Sequence, residues 1–366
     1  MKIGITCYPT FGGSGVIASE LAKSLVTKGH TVHIFSYKLP FKINTNADGV
    51  FFHEVKDPNY PLFEYPSYGM ALACQALDAC KKKQIEILHA HYAYPHAISS
   101  YLIKRIAKNN LKTVTTLHGT DITLVGKNPL FVDIVKFAIE KSDSVTSVSR
   151  FLRDQTINLF QTAKNIKVIS NFVDTKIFLP KSKRTYPGKI PVFIHISNFR
   201  PAKRSQDMVK TFNLIRRQMK ARAILIGDGP DLPKVQRLIS KFKLNNEIEI
   251  VPPIQNLAPI LADADILIIT SESESFGLVA LEAMSCGIPV VGTTCGGLPE
   301  CVTHNYNGFL SPVGDIGKLA ANCIKLLSNR DLYMKFSENS RKIAVEKFDT
   351  NKIVQKYENL YHSLKV

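Results

Sequence analysis

Short β-branched, apolar runs recur along the chain, and between them apolar residues fall at helical spacing. Lys2–Cys7 reads as a strand, a helix carrying Ile17, Leu21 and Leu25 follows, and Thr31–Ser36 is a second strand, which together make a βαβ unit. Further strands are predicted at Val50–Val55, Ile85–His89, Thr113–Leu117, Ser144–Val148 and Ile166–Ile169, with helices such as Tyr68–Lys83 and His96–Lys108 between them. This alternation implies a mostly parallel sheet with helices on both faces. The pattern breaks over residues 172–190, where Pro180–Lys189 is rich in lysine and contains two prolines, and this stretch is expected to link two domains. It restarts at 191–350 with strands at Val192–Ile196, Ala223–Ile226, Ile248–Val251, Ile266–Thr270 and Ile288–Gly292. The expected organisation is therefore an α/β fold of two facing Rossmann-like domains, 1–171 and 191–350, with ligands bound in an interdomain cleft at the carboxyl ends of the strands. The last segment has Ile353, Val354, Tyr357, Leu360, Tyr361 and Leu364 at helical spacing, so helix 351–366 is expected to dock, most simply back onto the first domain.

A length of 366 residues supports the two-domain reading, since single cores stop growing well before that size. With 45% hydrophobic and 21% charged residues the composition is that of a soluble globular protein, and no run approaches the ~20 apolar residues of a membrane span. Met1–Cys7 lacks the long apolar region of a signal peptide and reads as a first strand. Seven scattered cysteines, never spaced C-x-x-C, suggest neither disulfides nor a zinc site, so a reducing cytoplasm is expected. The net charge of +17 suits polyanionic small substrates, an anionic membrane surface or nucleic acid. Lysines are spread along the chain without a basic tract or a nucleic-acid-binding motif, which disfavours the last.

Candidate chemistry gathers after the strands. Gly12-Gly13-Ser14-Gly15 opens the first helix, where backbone N–H groups could receive an anion, although a turn requiring glycine geometry serves equally. His118-Gly119-Thr120-Asp121 follows the strand Thr113–Leu117. It is read as functional from its place at the ligand edge, against a buried structural histidine or a cap at Thr120 or Asp121. The His89–His96 run looks like a metal cluster but has no acidic or cysteine partner at regular spacing, so no metal is expected. Asn198–Arg204 follows the first strand of the second domain, and its cations could neutralise a diphosphate; basic residues at a helix start oppose the macrodipole unless an anion compensates. Asp263-Ala264-Asp265 imitates a metal-holding D-x-D but reads as a helix end and strand start. The strongest element is Glu274–Glu282, two carboxylates eight positions apart across a strand-to-helix turn, with the second expected about two helical turns along. Carboxylates accept bidentately from vicinal hydroxyls. A glycoside-hydrolase pair competes, but the neighbouring cations favour a phosphate-bearing substrate.

Together these residues resemble the large retaining glycosyltransferase family of GT-B architecture whose signature is E-x7-E, here Glu274 and Glu282, and the resemblance covers nearly the whole chain. The combination of Ile5–Pro9 with Gly12–Gly15, His89–Tyr92, Thr115–Asp121 and Ser197–Arg200 is similar to the branch that moves N-acetylglucosamine from UDP-N-acetylglucosamine onto L-malate, the first step of bacillithiol synthesis. The resemblance implies an α-glycoside product, no cofactor and no metal. It implies that Glu282 grips the ribose, that Glu274 and the amides of Phe276, Gly277 and Leu278 hold the transferred sugar, and that His118 sits near the reacting carbon. Gly13, Gly15, Asn198, Arg200 and Lys203 would serve the diphosphate; the family's arginine five positions before the lysine is replaced by Asn198, with Arg200 as the available substitute. For a dicarboxylate acceptor the candidates are Ser14, Asn44, Tyr94 and Thr120, with Arg150 as an outlier. A homo-oligomer is compatible with this reading, while nucleic acid and stable membrane insertion are not expected. Two alternatives stay open: a peripheral-membrane transferase with a lipid or lipopolysaccharide acceptor, and a UDP-N-acetylglucosamine epimerase.

Overall fold

Strands at the middle of the sheets are buried along their length without alternation, as expected of strands covered on both faces. In the computed structural model, which describes residues 1–366 except 11, 57–66, 109, 181–185, 189 and 366, every residue of the strands Ile87–His91 and Ile266–Ile269 is buried. The chain divides into two compact units, Met1–Asn171 with Asn351–Val366, and Phe172–Thr350.

Among the described residues the first unit carries seven parallel strands, β1 (Lys2–Thr6), β2 (Thr31–Ser36), β3 (Phe51–Glu54), β4 (Ile87–His91), β5 (Lys112–Leu117), β6 (Ser144–Ser147) and β7 (Ile166–Val168). Their spatial order is β3-β2-β1-β4-β5-β6-β7. The second unit carries six: β8 (Val192–Ile196), β9 (Arg222–Ile226), β10 (Ile248–Val251), β11 (Ile266–Ile269), β12 (Val290–Thr293) and β13 (Gly308–Ser311), in the order β10-β9-β8-β11-β12-β13. Both sheets are doubly wound, with the reversal of strand order at β1/β4 and at β8/β11. Loops leaving the carboxyl ends of those pairs are where such sheets bind ligands.

The core of the first unit includes Phe35, Leu72, Leu88 and Ile103, and that of the second Phe193, Phe212, Phe309 and Phe336. The closing helix, Thr350–Ser363, turns Ile353, Val354, Tyr357, Leu360 and Tyr361 inward within the first unit. Tyr361 Oη lies 2.7 Å from His89 Nδ1, and Glu358 pairs with Lys28 at 2.6 Å and with His30 at 2.9 Å. Where a linker was expected, Phe172, Val173 and Phe178 are buried in the second unit, and Val173 bridges to Asp349; the lysine-rich residues 181–185 and 189 lie outside the described set.

Candidate active site

In the second unit, two loops leave neighbouring strands β8 and β11 and are stitched together. Thr270 Oγ1 donates to the carbonyls of Lys203 and Arg204 at 2.9 and 3.1 Å, and Glu272 N donates to Ala202 O at 2.9 Å. This brings Lys203 Nζ to 2.6 Å from Glu274 Oε1, which also accepts from Ser271 Oγ at 2.8 Å. The sequence reading gave the compensating anion of this basic loop to a ligand; for Arg204 the protein itself supplies one, in pairs with Asp207 at 2.6 Å and Glu272 at 3.5 Å. Of its cations Arg200 is the one with no ion pair among the described residues, and it is exposed, as is Asn198.

Glycines let the surrounding loops approach. A Cβ on Gly296 (φ +54°) would stand 1.8 Å from Glu274 O, and one on Gly297 2.3 Å from Ser275 O. Gly297 N donates to Glu274 O at 2.7 Å, so the loop after β12 is the cradle that fixes the glutamate's backbone. The Gly227–Gly229 turn presses in the same way on Ser197 and Asn198. Sequence reading missed Gly296, Gly297 and Ser271; a paired glycine directly past a strand was the available signal.

Gly277, at φ +98°, is the N-cap of the helix Leu278–Ser285 and supplies no side-chain cap, so the amides there face an open helix start. Glu282 lies about one helical turn into this helix, not two, because the helix begins only at Leu278; it is buried. The Phe276 ring belongs to the core, 5.5 Å edge-on to Phe348, which leaves its backbone as the part that could meet a ligand. The D-x-D imitation ends a helix at Asp263, and Asp265 Oδ2 accepts from Val192 N at 2.8 Å, a structural role.

In the first unit the residues past β1, β4 and β5 converge. Gly13 starts the helix Gly13–Thr27; Gly15 is packed so that a Cβ would stand 2.5 Å from Thr10 O, so space rather than backbone conformation demands glycine there. Ser14 Oγ lies 2.9 Å from Tyr92 Oη, to which Thr120 Oγ1 donates at 3.3 Å, so one tyrosine hydroxyl joins two of the acceptor candidates. His118 is half-buried at the end of β5, its ring 5.3 Å from that of Tyr92. Asp121 anchors this turn: Oδ1 accepts from the amides of His118 and Gly119 at 3.2 and 2.8 Å, and Oδ2 from Ala93 N at 3.1 Å. Burial pushes its carboxyl up to about 6 against the pull of those amides. The other acceptor candidates do not join the cluster. Asn44 is spent as the N-cap of the short helix Thr45–Asp48, accepting from Asn46 N at 3.2 Å, and Tyr94 packs its ring on Phe131 at 5.0 Å. Arg150 is exposed at the first position of the helix Arg150–Phe160. Among the described residues no three of His, Cys, Asp and Glu gather as metal ligands, and no helix is long and apolar enough to cross a membrane.

The chain as a whole is similar to known proteins. Residues 11–177 match Glycosyltransferase Family 4, and residues 180–343 match Glycosyl transferases group 1. The chain is 40% identical to the N-acetyl-alpha-D-glucosaminyl L-malate synthase of Bacillus anthracis over all of this chain and 97% of that protein. Among solved structures, Anabaena HepE in complex with UDP and glucose superposes with a TM-score of 0.85 at 21% identity, covering 99% of this chain and all of that one. Sucrose-phosphate synthase from Thermosynechococcus elongatus gives 0.83 at 20% identity, covering all of this chain and 99% of the other. The fold is thus the two-domain GT-B fold, and the chain is a glycosyltransferase that belongs to the family joining a Family 4 domain to a group 1 domain.

Proposed function

We propose that this enzyme transfers N-acetylglucosamine from UDP-N-acetylglucosamine to L-malate with retention, giving the α-glycoside and UDP without a divalent metal. The observation that carries the reading is the junction of Lys203, Glu274 and the uncapped helix start at Gly277, supported by 40% identity over the whole chain to a protein named for that product. As the glycosidic C–O bond breaks, negative charge grows on the diphosphate and the sugar becomes oxocarbenium-like. Lys203 and Arg200 supply fixed positive charge, and the amides at 277–278 add the positive end of a helix; being held in place before reaction, they favour the transition state over the ground state. Glu274 and Glu282 accept from hydroxyls of the sugar and the ribose. His118 lies at the sugar, while Ser14 and Thr120, joined through Tyr92, are the acceptor-side hydroxyls. The malate hydroxyl attacks on the face the diphosphate leaves, and that phosphate takes its proton.

A screen of sugar nucleotides and hydroxy acids, read as UDP release in EDTA, tests this directly. Release that needs both UDP-N-acetylglucosamine and malate is expected; conversion of the donor without any acceptor would point to an epimerase instead. One surface feature favours a second reading, a lipid acceptor at a membrane: Leu124, Leu130, Ile134 and Phe137 are exposed beside Lys127 and Lys141. Flotation with anionic vesicles separates the two, since a malate enzyme is expected to stay in the unbound fraction.

A further inference from the structure

Three imidazoles stand in a row towards the carboxyl end of the first sheet. His89 and His91 project from one face of β4 with ring centroids 4.5 Å apart, and His118 directly follows the neighbouring strand β5. His89 is fully committed: Nδ1 meets Tyr361 Oη at 2.7 Å and Nε2 meets Thr116 Oγ1 at 2.6 Å. His91 is not. Its Nδ1 lies 2.8 Å from His118 Nε2, with the two ring planes 21° apart and their centroids separated by 5.0 Å, so the bond runs close to both planes. Its other nitrogen, Nε2, is buried and meets no hydrogen-bond partner among the described residues.

A neutral imidazole carries one N–H and one lone pair, so this 2.8 Å contact can be made in only two ways. If His118 Nε2–H donates, the single proton of His91 must sit on Nε2, where a buried N–H would have nothing to bond. If His91 Nδ1–H donates, the partnerless atom is a bare lone pair. Buried orphan donors are rarer than under-used acceptors, which favours the second arrangement. Charging either ring is no escape, because burial holds both well below the ordinary imidazole value.

We propose that His91 is a positioning residue that fixes His118 as the Nδ1–H tautomer, so that His118 offers the substrate a hydrogen-bond donor and not a lone pair. The inference rests on the reading above that His118 meets the transferred sugar, and it makes the sugar atom at His118 an acceptor oxygen. Without His91, His118 would be free to exchange tautomers and would present the wrong group for part of the time. The cost is expected in kcat, because the donor matters most when the sugar changes charge and shape.

Long-range 1H–15N correlation of histidine-labelled full-length enzyme, with His118→Gln identifying the signals, reads the tautomer without reference to catalysis. A protonated Nδ1 and an unprotonated Nε2 on His118 are expected. A protonated Nε2 overturns the proposal, and this readout decides it even if a His91 variant fails to fold. In His91→Leu the tautomer is expected to shift and kcat to fall roughly tenfold to a hundredfold with little change in donor KM. His91→Asn, whose amide N–H can replace Nδ1–H, should restore both. A merely packing role would leave the His118 spectrum unmoved in the Leu variant, which also defeats the proposal. The reading of His118 itself is tested separately: full activity in His118→Ala would remove it while leaving the tautomer result intact.

Discussion

Lys203 pairs with Glu274 at 2.6 Å, and a diphosphate would offer it a stronger, doubly charged partner. Exchange of one anion for the other would leave Glu274 free to accept from sugar hydroxyls, so the two roles are coupled through a single contact. Lys203→Ala should therefore lower kcat by about a hundredfold, near 3 kcal/mol of transition-state stabilisation, and Lys203→Arg should fall between, since it keeps the charge but not the compact geometry. Steady-state kinetics check this, and an Ala variant with wild-type kcat would show that the cation is structural. Gly296→Ala places a Cβ 1.8 Å from Glu274 O, so this variant is expected to lose activity by displacing Glu274 even where thermal melting shows the fold intact; activity equal to wild type would mean the glutamate's backbone need not be held. Lys203, Glu274 and Glu282 were legible in the sequence because each motif is local. The contacts of Gly296 and His91 were not, because Glu274 lies 22 positions from Gly296 and His118 follows a different strand from the one that carries His91. Asn44 has a local use that its place in a loop did not reveal, as the cap of the helix Thr45–Asp48.

At the level of elements, the closing helix Thr350–Ser363 completes the first unit with residues remote in sequence. Its inward side chains Ile353, Val354, Tyr357, Leu360 and Tyr361 are each worth roughly 1.5–3 kcal/mol on burial, a sum comparable with the ~5–15 kcal/mol by which domains are stable. Removing residues 351–366 is expected to unfold that unit, seen as rapid proteolysis confined to the first 171 residues; a protease-resistant truncated protein would contradict the packing described. The periodicity of this helix announced its apolar face, and strands such as Ile266–Ile269 announced themselves as short apolar runs rich in β-branched residues. The strand Gly308–Ser311 and the helices Ile316–Leu327 and Arg330–Lys347 were not singled out, because a four-residue strand beginning with glycine gives little pattern to read. Helix starts were displaced for a related reason: Gly277 at φ +98° delays the helix to Leu278, which puts Glu282 one turn in.

For the whole molecule, buried imidazoles set the response to acid. Burial pulls His89 and His96 down to about 3 and His195 down to about 4, against roughly 6.5 in an unfolded chain. Folded-state values that are depressed mean that the unfolded chain binds more protons, so this stability is fully present above about pH 6.5 and is lost as pH falls towards 4, by up to about 1.4 kcal/mol per unit for each ring. Asp121, raised to about 6, acts in the other sense between about pH 4 and 6, and one carboxyl cannot offset three imidazoles. Melting temperature should drop between pH 7.5 and 5, and an unchanged value would mean that these rings are not held neutral. In the proposed reaction, fixed protein charge, without a divalent ion, receives the departing diphosphate and malate takes the sugar. The most direct measurement is a proton NMR progress curve with UDP-N-acetylglucosamine, malate and excess EDTA. Equimolar UDP and a single α-linked N-acetylglucosaminyl malate are expected, at a rate that added magnesium does not change. A β-linked product, or no product until a divalent ion is restored, would contradict it.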